Sequence, residues 1–106
     1  MTYHSNFCPE FHKAVELIGK RWSGTIAREM MNGAVRFTDL RHAIPDLSER
    51  MLCARLRALE KEGIVERRVL GVPMRVEYHL TQKGRDLRDV FAAVGQWAER
   101  WIGQRA

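Results

Sequence analysis

The stretch that decides the fold runs from residue 48 to residue 63 and reads SERMLCARLRALEKEG. Ser48 is a strong N-cap, because its hydroxyl can accept hydrogen bonds from the free N–H groups of a first helical turn. Gly63 is a typical stop signal at a helix C-terminus. Between them, Leu52, Leu56 and Leu59 recur at the spacing that places them on one side of a helix. The stretch therefore predicts a helix that begins at Ser48 and ends before Gly63.

The opposite side of this helix is rich in cationic residues. Successive residues of a helix are about 100° apart, and the positions that face away from the leucines are Arg50, Ala54, Arg57 and Lys61. We call these four residues the outer stripe. Acidic residues lie beside it, at Glu49, Glu60 and Glu62. A merely solvated surface is therefore the alternative to a binding face.

A short helix precedes this one at close range. It opens at Thr38-Asp39, has apolar residues at Leu40 and Ile44, and closes at Pro45, because the residue before a proline avoids the helical region. Residues 45–47 then leave only a tight connection. Two helices joined by so short a turn predict a helix-turn-helix motif.

A β-hairpin is predicted directly after the helix. Residues 64–70 and 75–80 read IVERRVL and RVEYHL, which are rich in β-branched and aromatic residues, and residues 71–73 separate them. Arginines at Arg67, Arg68 and Arg75 make the hairpin basic, as suits a wing that lies near the minor groove or against phosphate. The alternative is a hairpin that Glu66 and Glu77 merely keep soluble.

This pattern assigns roles on duplex DNA. Ser48, Arg50 and Ala54 are expected to face base edges, and Arg50 can bind guanine through two hydrogen bonds. Arg57 and Lys61 lie further along the helix, where they are expected to meet the phosphate backbone. Glu49 can accept from a cytosine amino group or stabilise the positive end of the helix dipole.

Three further helices complete the predicted fold. One begins at Pro9 and ends near Gly19, and a second carries the stripe Trp22, Ile26 and Met30. A third begins after Thr81 and is expected to extend over about 20 residues, or roughly 30 Å. We therefore predict an α+β, mostly helical chain: a winged helix-turn-helix with a two-stranded hairpin and a long C-terminal helix.

The composition limits the classes of protein to consider. The 106 residues include 18 Lys and Arg against 13 acidic residues, a net charge of +5 that favours nucleic acid or an anionic membrane as partner. No apolar stretch approaches the roughly 18 residues that span a bilayer, and residues 1–6 lack the regions of a signal peptide. We expect a cytoplasmic protein with one DNA-binding domain over residues 1–106 and no membrane partner.

The ordered motifs resemble those of HxlR-type winged-helix regulators. They are CP at 8–9, GKRW at 19–22, RFTDL at 36–40, SERML at 48–52, GIV at 63–65, RVEY at 75–78 and LTQKG at 80–84. The resemblance implies a homodimeric, MarR-like repressor or activator that binds duplex DNA. It also implies that the helix after Ser48 is the recognition helix, that Arg75 belongs to the wing and that Arg36 meets a phosphate.

The last helix suggests how such a dimer forms. Its apolar positions exceed what a small domain covers, so a second copy is expected to bury them, with burial inside one chain as the alternative. The expected interface lies in residues 1–19 and 82–106 and includes Phe11, Val15, Leu87, Phe91, Val94, Trp97 and Trp101. A two-fold dimer would place two recognition helices about one DNA turn apart, on a pseudo-palindromic operator.

The two cysteines, Cys8 and Cys53, are too few for a disulfide framework. Cys8 precedes the helix that Pro9 starts, so its sulfur is expected near free N–H groups, with His12 and Lys13 one turn onward. An inert small residue is the alternative. The family resemblance adds that this Cys-Pro pair senses oxidants or electrophiles in several members. Oxidation could join Cys8 to Cys8 or Cys53 of the partner, or a quinone or aldehyde could modify Cys8.

Other functions have less support in the sequence. His4, Cys8 and His12 recur every four residues, as metal ligands on one helix would, but Pro9 makes a helix before it improbable. No phosphate-binding loop, carboxylate pair or Ser-His-Asp order indicates an enzyme. We therefore expect no catalytic residue, metal or cofactor. A dimeric winged-helix module that binds proteins and not DNA is the alternative function.

Overall fold

The computed structural model describes residues 5–103. In chain order these residues form α1 (Pro9–Ile18), α2 (Ser23–Met31), α3 (Phe37–Ala43), α4 (Glu49–Lys61), β1 (Val65–Leu70), β2 (Arg75–Leu80), α5 (Gln82–Arg85) and α6 (Arg88–Trp101). The two strands pair antiparallel. This is the winged helix-turn-helix order that the sequence predicts, with α3 and α4 as the motif and the hairpin as the wing.

The caps of α4 are those that the sequence predicts. The Ser48 hydroxyl accepts a hydrogen bond from the Met51 N–H, with 3.1 Å between the two atoms. At the other end, Gly63 has a φ of +76°, a left-handed conformation that glycine adopts without steric cost. Leu52, Leu56 and Leu59 are all buried. Sequence signals at both ends and on one face therefore define this helix completely.

The turn between α3 and α4 is held by side chains on both sides. Leu47 is buried in the turn and joins the core cluster. Its carbonyl oxygen accepts a hydrogen bond from the Arg41 guanidinium of α3, whose Nε also lies 3.8 Å from the Glu49 carboxylate. These contacts fix the angle at which α4 leaves the turn.

The hairpin is attached to the helices at two places. Tyr78 of β2 donates its N–H to the Val35 carbonyl oxygen, 2.7 Å away, just before α3 begins. At the base of β1, Ile64 and Val65 are buried in the core. Because the pairing register joins Val65 to Leu80 and Arg67 to Tyr78, these four residues share one face of the hairpin. That face is turned toward α4.

The core lies between the helix-turn-helix and the base of the hairpin. It consists of buried side chains from α2, α3, the turn, α4 and β1: Ile26, Met30, Leu40, Ile44, Leu47, Leu52, Leu56, Leu59, Ile64 and Val65. Both helices of the motif contribute to this cluster. The core therefore holds α4 by its leucine face and leaves the outer stripe in solvent.

The C-terminal segment differs from the prediction of one helix of about 20 residues. It is divided into α5 and α6. At the junction the Leu87 N–H donates to the carbonyl oxygen of Gly84, three residues back, whereas an α-helical bond would reach four residues back. Gly84 is buried against the Ile64 carbonyl, a tertiary contact that holds α5 on the strand. Leu87, at the junction, packs on the core, and α6 then continues for 14 residues.

Candidate nucleic-acid interface and thiol site

All four residues of the outer stripe lie on the exposed side of α4. Arg50, Ala54, Arg57 and Lys61 each have exposed side chains, as do Ser48 and Glu49 at the start of the helix. Glu49 is in the first turn, where a carboxylate interacts favourably with the helix dipole, and it faces Arg41. The Ser48 hydroxyl is occupied by the cap. The structure thus leaves the three cations of the stripe free to meet a polyanion.

Arg36 lies at the start of the helix-turn-helix, beside the hairpin. It is the N-cap residue of α3, and its backbone N–H donates to the Asp39 carboxylate at 3.0 Å. The preceding residue, Val35, is the one that bonds to Tyr78 of β2. The Arg36 side chain is exposed. It is therefore held at a fixed backbone position where a phosphate contact is sterically open.

Two of the three basic residues of the hairpin, Arg68 and Arg75, are paired with carboxylates within it. The Nε of Arg68 lies 3.3 Å from the Glu66 carboxylate, and the Nε of Arg75 lies 3.2 Å from the Glu77 carboxylate. Residues two apart in a strand share a face, so the spacings Glu-x-Arg and Arg-x-Glu could have indicated these pairs in advance. The pairs reduce the positive charge that this face of the wing presents.

Glu77 is at the centre of the larger of these networks. It also accepts from the His79 ring, with 2.8 Å between Oε1 and Nε2. The hydrogen bonds from His79 and then from Arg75 lower the pKa of the Glu77 carboxyl below its ordinary value. The carboxylate form is therefore the one that this face of the hairpin stabilises.

Arg67 is on the other face of the hairpin, beside α4. Together with Tyr78 it lines a recess of about 300 Å³, whose remaining lining residues come from α4 and are Cys53, Leu56, Arg57 and Glu60. The sequence indicates Arg67 only as one of three basic wing residues. Its place next to α4 depends on the strand register, which composition does not reveal.

The apolar residues expected at a dimer interface lie mostly in solvent. The exposed ones, on α1 and α6, are Phe11, Val15, Val94, Trp97 and Trp101, joined by Val90 and Ile102. Trp97 and Trp101 are 60% and 59% exposed, which is unusual for side chains of this size. Between α1, α2 and α6 an open groove of about 500 Å³ is lined by Val15, Ile18, Phe91 and Val94 among others. These helices thus present one large apolar surface.

Two residues of the expected interface lie deeper. Leu87 is half-buried and packs on the core of its own chain. Phe91 is also half-buried, with its ring near Gly24 of α2. Burial inside the chain therefore accounts for the start of α6, whereas the other apolar residues named above on α1 and α6 stay exposed. The ends of the two expected interface segments, residues 1–4 and 104–106, lie outside the described residues.

Cys8 is exposed at the start of α1 and acts as its N-cap. The sulfur accepts from the Phe11 N–H at 3.4 Å and donates its proton to the Glu10 carboxylate at 3.2 Å. A backbone hydrogen bond and the one from Cys8 lower the pKa of the Glu10 carboxyl. The expected neighbour, His12, instead lies 3.0 Å from the Glu16 carboxylate. The sequence thus predicts the cap but misses the thiol's acidic partner.

Cys53 is free and exposed on α4. Of the three residues spaced as metal ligands, His4 lies outside the described residues, and residues 5–103 contain no group of three side chains that could hold a metal ion. Over the same range, no helix has the length and the apolar character that crossing a bilayer requires.

Known proteins are similar to this chain in sequence and in fold. The profile of the HxlR-like helix-turn-helix family matches residues 17–106. The chain belongs to the HxlR family. In Bacillus subtilis, the HTH-type transcriptional regulator YvaP is 43% identical over 99 residues, which is 92% of each chain. The regulator YodB of the same organism is 42% identical over 98 residues, 92% of this chain and 88% of YodB.

Solved structures agree with this assignment to the HxlR family. The reduced form of YodB has a TM-score of 0.81 at 43% identity, over 90% of this chain and 94% of that one. The redox regulator HypR in its oxidised form has a TM-score of 0.80 at 37% identity, over 93% and 99%. YodB has also been solved bound to quinone. The predicted family and fold are confirmed, and the relatives are transcriptional regulators, which are not a class of enzyme.

Proposed function

We propose that this protein regulates transcription by binding a pseudo-palindromic duplex operator as a homodimer, and that Cys8 senses oxidants or electrophiles. One observation supports DNA binding above the others. The leucine face of α4 is buried while Arg50, Arg57 and Lys61 on its other face are exposed. A helix held in this way presents its cations as one rigid surface, which suits the major groove.

The proposed roles on DNA follow the position along α4. Arg50, in the first turn, contacts a guanine edge, with Ala54 beside it and Ser48 and Glu49 at the helix start. Arg57, Lys61 and Arg36 contact phosphates, which adds affinity that depends on salt but not on sequence. Arg68 and Arg75 contribute less than the sequence suggests, because each is already paired with a glutamate.

Mobility-shift titrations over a salt series test DNA binding. We expect affinity for a duplex operator to fall steeply with salt, and Arg50→Ala to weaken specific binding by about 1–3 kcal/mol. The matched control is Arg88→Ala, which removes the same charge from an exposed position on α6, outside the helix-turn-helix. Salt-independent affinity, or equal losses in the two variants, would contradict the proposal and favour the protein-binding module that the sequence leaves open.

Dimerisation is proposed from the apolar surface of α1 and α6. Its exposed tryptophans and the groove beside Val94 suit a self-complementary interface, in which each copy covers the other. Two-fold symmetry would set the α4 helices about 34–36 Å apart, on half-sites of an inverted repeat. Footprinting of the bound operator would then show two protected half-sites one helical turn apart.

Sensing is proposed at Cys8 because its thiol is exposed at a helix N-terminus, next to the proposed dimer surface. Among the relatives, YodB binds a quinone and HypR is a redox regulator. We expect a quinone or diamide to change operator affinity and Cys8→Ser to abolish the change. The control is Cys53→Ser, which separates modification of Cys8 alone from a disulfide between Cys8 and Cys53. An unaltered response of Cys8→Ser would exclude Cys8 as the sensor.

A further inference from the structure

The recess between the recognition helix and the wing contains an unusual group of side chains. Arg57 and Glu60 are three residues apart on α4, Arg67 comes from β1 and Tyr78 from β2, and Cys53 and Leu56 of α4 form the rest of the lining. The recess has a volume of about 300 Å³ and opens to solvent. It therefore holds two guanidinium groups, a phenol and one carboxylate at the boundary of two elements that a winged helix places on DNA.

Strand register explains why Arg67 differs from its neighbour Arg68. In the antiparallel ladder Arg67 lies opposite Tyr78, and it shares its face of the hairpin with buried Val65. This face is therefore packed toward α4. Arg68 lies opposite Glu77 in the ladder, and both side chains are on the other face of the hairpin. The register thus separates adjacent arginines, and one of them is directed toward the recognition helix while the other is directed away from it.

The two arginines of the recess are not neutralised by a carboxylate in contact with them. Within residues 5–103, none of the ion pairs involves Arg57 or Arg67, although Arg68 and Arg75 each have one. Glu60 lies in the same recess without pairing to either guanidinium. The net charge of the recess is positive, and both guanidinium groups keep their donors free for an added anion.

We propose that this recess binds one phosphodiester group of the DNA backbone, with Arg57 and Arg67 as its two ligands. The inference rests on the proposed DNA binding and adds a site to it. Guanidinium groups match phosphate oxygens in planar, charge-assisted pairs, so two of them from different elements define the position of the phosphate. The site would fix the wing relative to α4 on the duplex, while Glu60 weakens it by like-charge repulsion.

A charge-removal series within one hairpin tests the site. We expect Arg67→Gln to lower the slope of log Kd against log salt by up to about 2, at most one for each subunit because Arg57 stays on the same phosphate, and to weaken binding on the order of tenfold at about 0.15 M salt. The loss should be the same on operator and on random duplex, because phosphate contacts carry no sequence information. Arg68→Gln is the matched control and should change the slope by much less.

Two further variants make the test specific. Arg57→Gln and Arg67→Gln should be less than additive in a double variant, because one phosphate loses both ligands. Glu60→Gln should act in the opposite direction and strengthen binding. Equal slopes for Arg67→Gln and Arg68→Gln, or weaker binding by Glu60→Gln, would overturn the site. These outcomes leave salt-dependent binding by the unaltered protein intact, whereas its absence would contradict the proposed function itself. Thermal unfolding of each variant checks that the fold is retained.

Discussion

The thiol of Cys8 donates its proton to the carboxylate of Glu10, with 3.2 Å between Sγ and Oε2. Two opposite influences therefore act on the sulfur. The Phe11 N–H and the positive end of α1 favour a negative charge there, while the neighbouring carboxylate repels it. Because the thiolate is the form that attacks electrophiles, Glu10 acts to restrain the proposed sensor.

Replacing that carboxylate should release the restraint. We expect Glu10→Gln to speed the reaction of Cys8 with iodoacetamide by a few-fold, because it removes a negative charge beside the sulfur. The measurement uses a Cys53→Ser background, so that only one thiol reacts. Glu16→Gln is the matched control, since that carboxylate is paired with His12 and not with sulfur. Equal rates in the two variants would show that Glu10 has no influence on Cys8.

The second thiol provides a way to test the side of α4 that we propose to face DNA. Cys53 is exposed and lies in the recess with Arg57 and Arg67. Alkylation by iodoacetamide in a Cys8→Ser background should weaken DNA binding on the order of tenfold, because the adduct occupies the space between helix and wing. Mass spectrometry confirms the extent of modification. In the double variant lacking both thiols the reagent should have no effect, and full affinity after complete alkylation of Cys53 would argue against a DNA-facing recess.

The hairpin should lose stability in acid through Glu77. Its carboxyl pKa is lowered by hydrogen bonds from His79 and Arg75, so its contribution is present above the ordinary glutamate pKa and is lost as pH falls through the lowered value. We therefore expect the free energy of unfolding to fall as the pH drops below the ordinary glutamate pKa, and to fall less in Glu77→Gln. An NMR titration checks this directly: His79→Ala or Arg75→Ala, each of which removes one donor, should raise the Glu77 pKa.

The sequence predicts those features that depend on local signals. The Ser48 cap, the Gly63 stop and the leucine spacing define α4, and each operates within one or two turns of chain. The break before α6 is different, because it depends on Gly84 meeting the Ile64 carbonyl 20 residues away in sequence. The position of Arg67 likewise depends on register between two strands. The features that the sequence does not predict are those that depend on tertiary contacts.

The contact with the Ile64 carbonyl makes Gly84 the most sensitive glycine to test. A Cβ added there would overlap the Ile64 carbonyl oxygen and lie 3.0 Å from the Leu80 side chain, so backbone must move. We expect Gly84→Ala to lower the free energy of unfolding by about 3 kcal/mol in urea denaturation. The control is Gly95→Ala in α6, where the nearest atoms belong to the Arg28 side chain at 3.6 Å. It should be neutral or stabilising by up to about 1 kcal/mol.

The exposed apolar surface of α1 and α6 is the dimer interface that we propose. Val94 is 56% exposed on α6 and lines the groove beside Val15. A carboxylate at this position would be buried unpaired in a dimer, so Val94→Asp should raise the dimer dissociation constant by about 100-fold and lower operator affinity with it. Sedimentation equilibrium measures the first effect and mobility shift the second. Val72→Asp, a matched change at the fully exposed hairpin tip, should remain dimeric, and a dimeric Val94→Asp would exclude this surface as the interface.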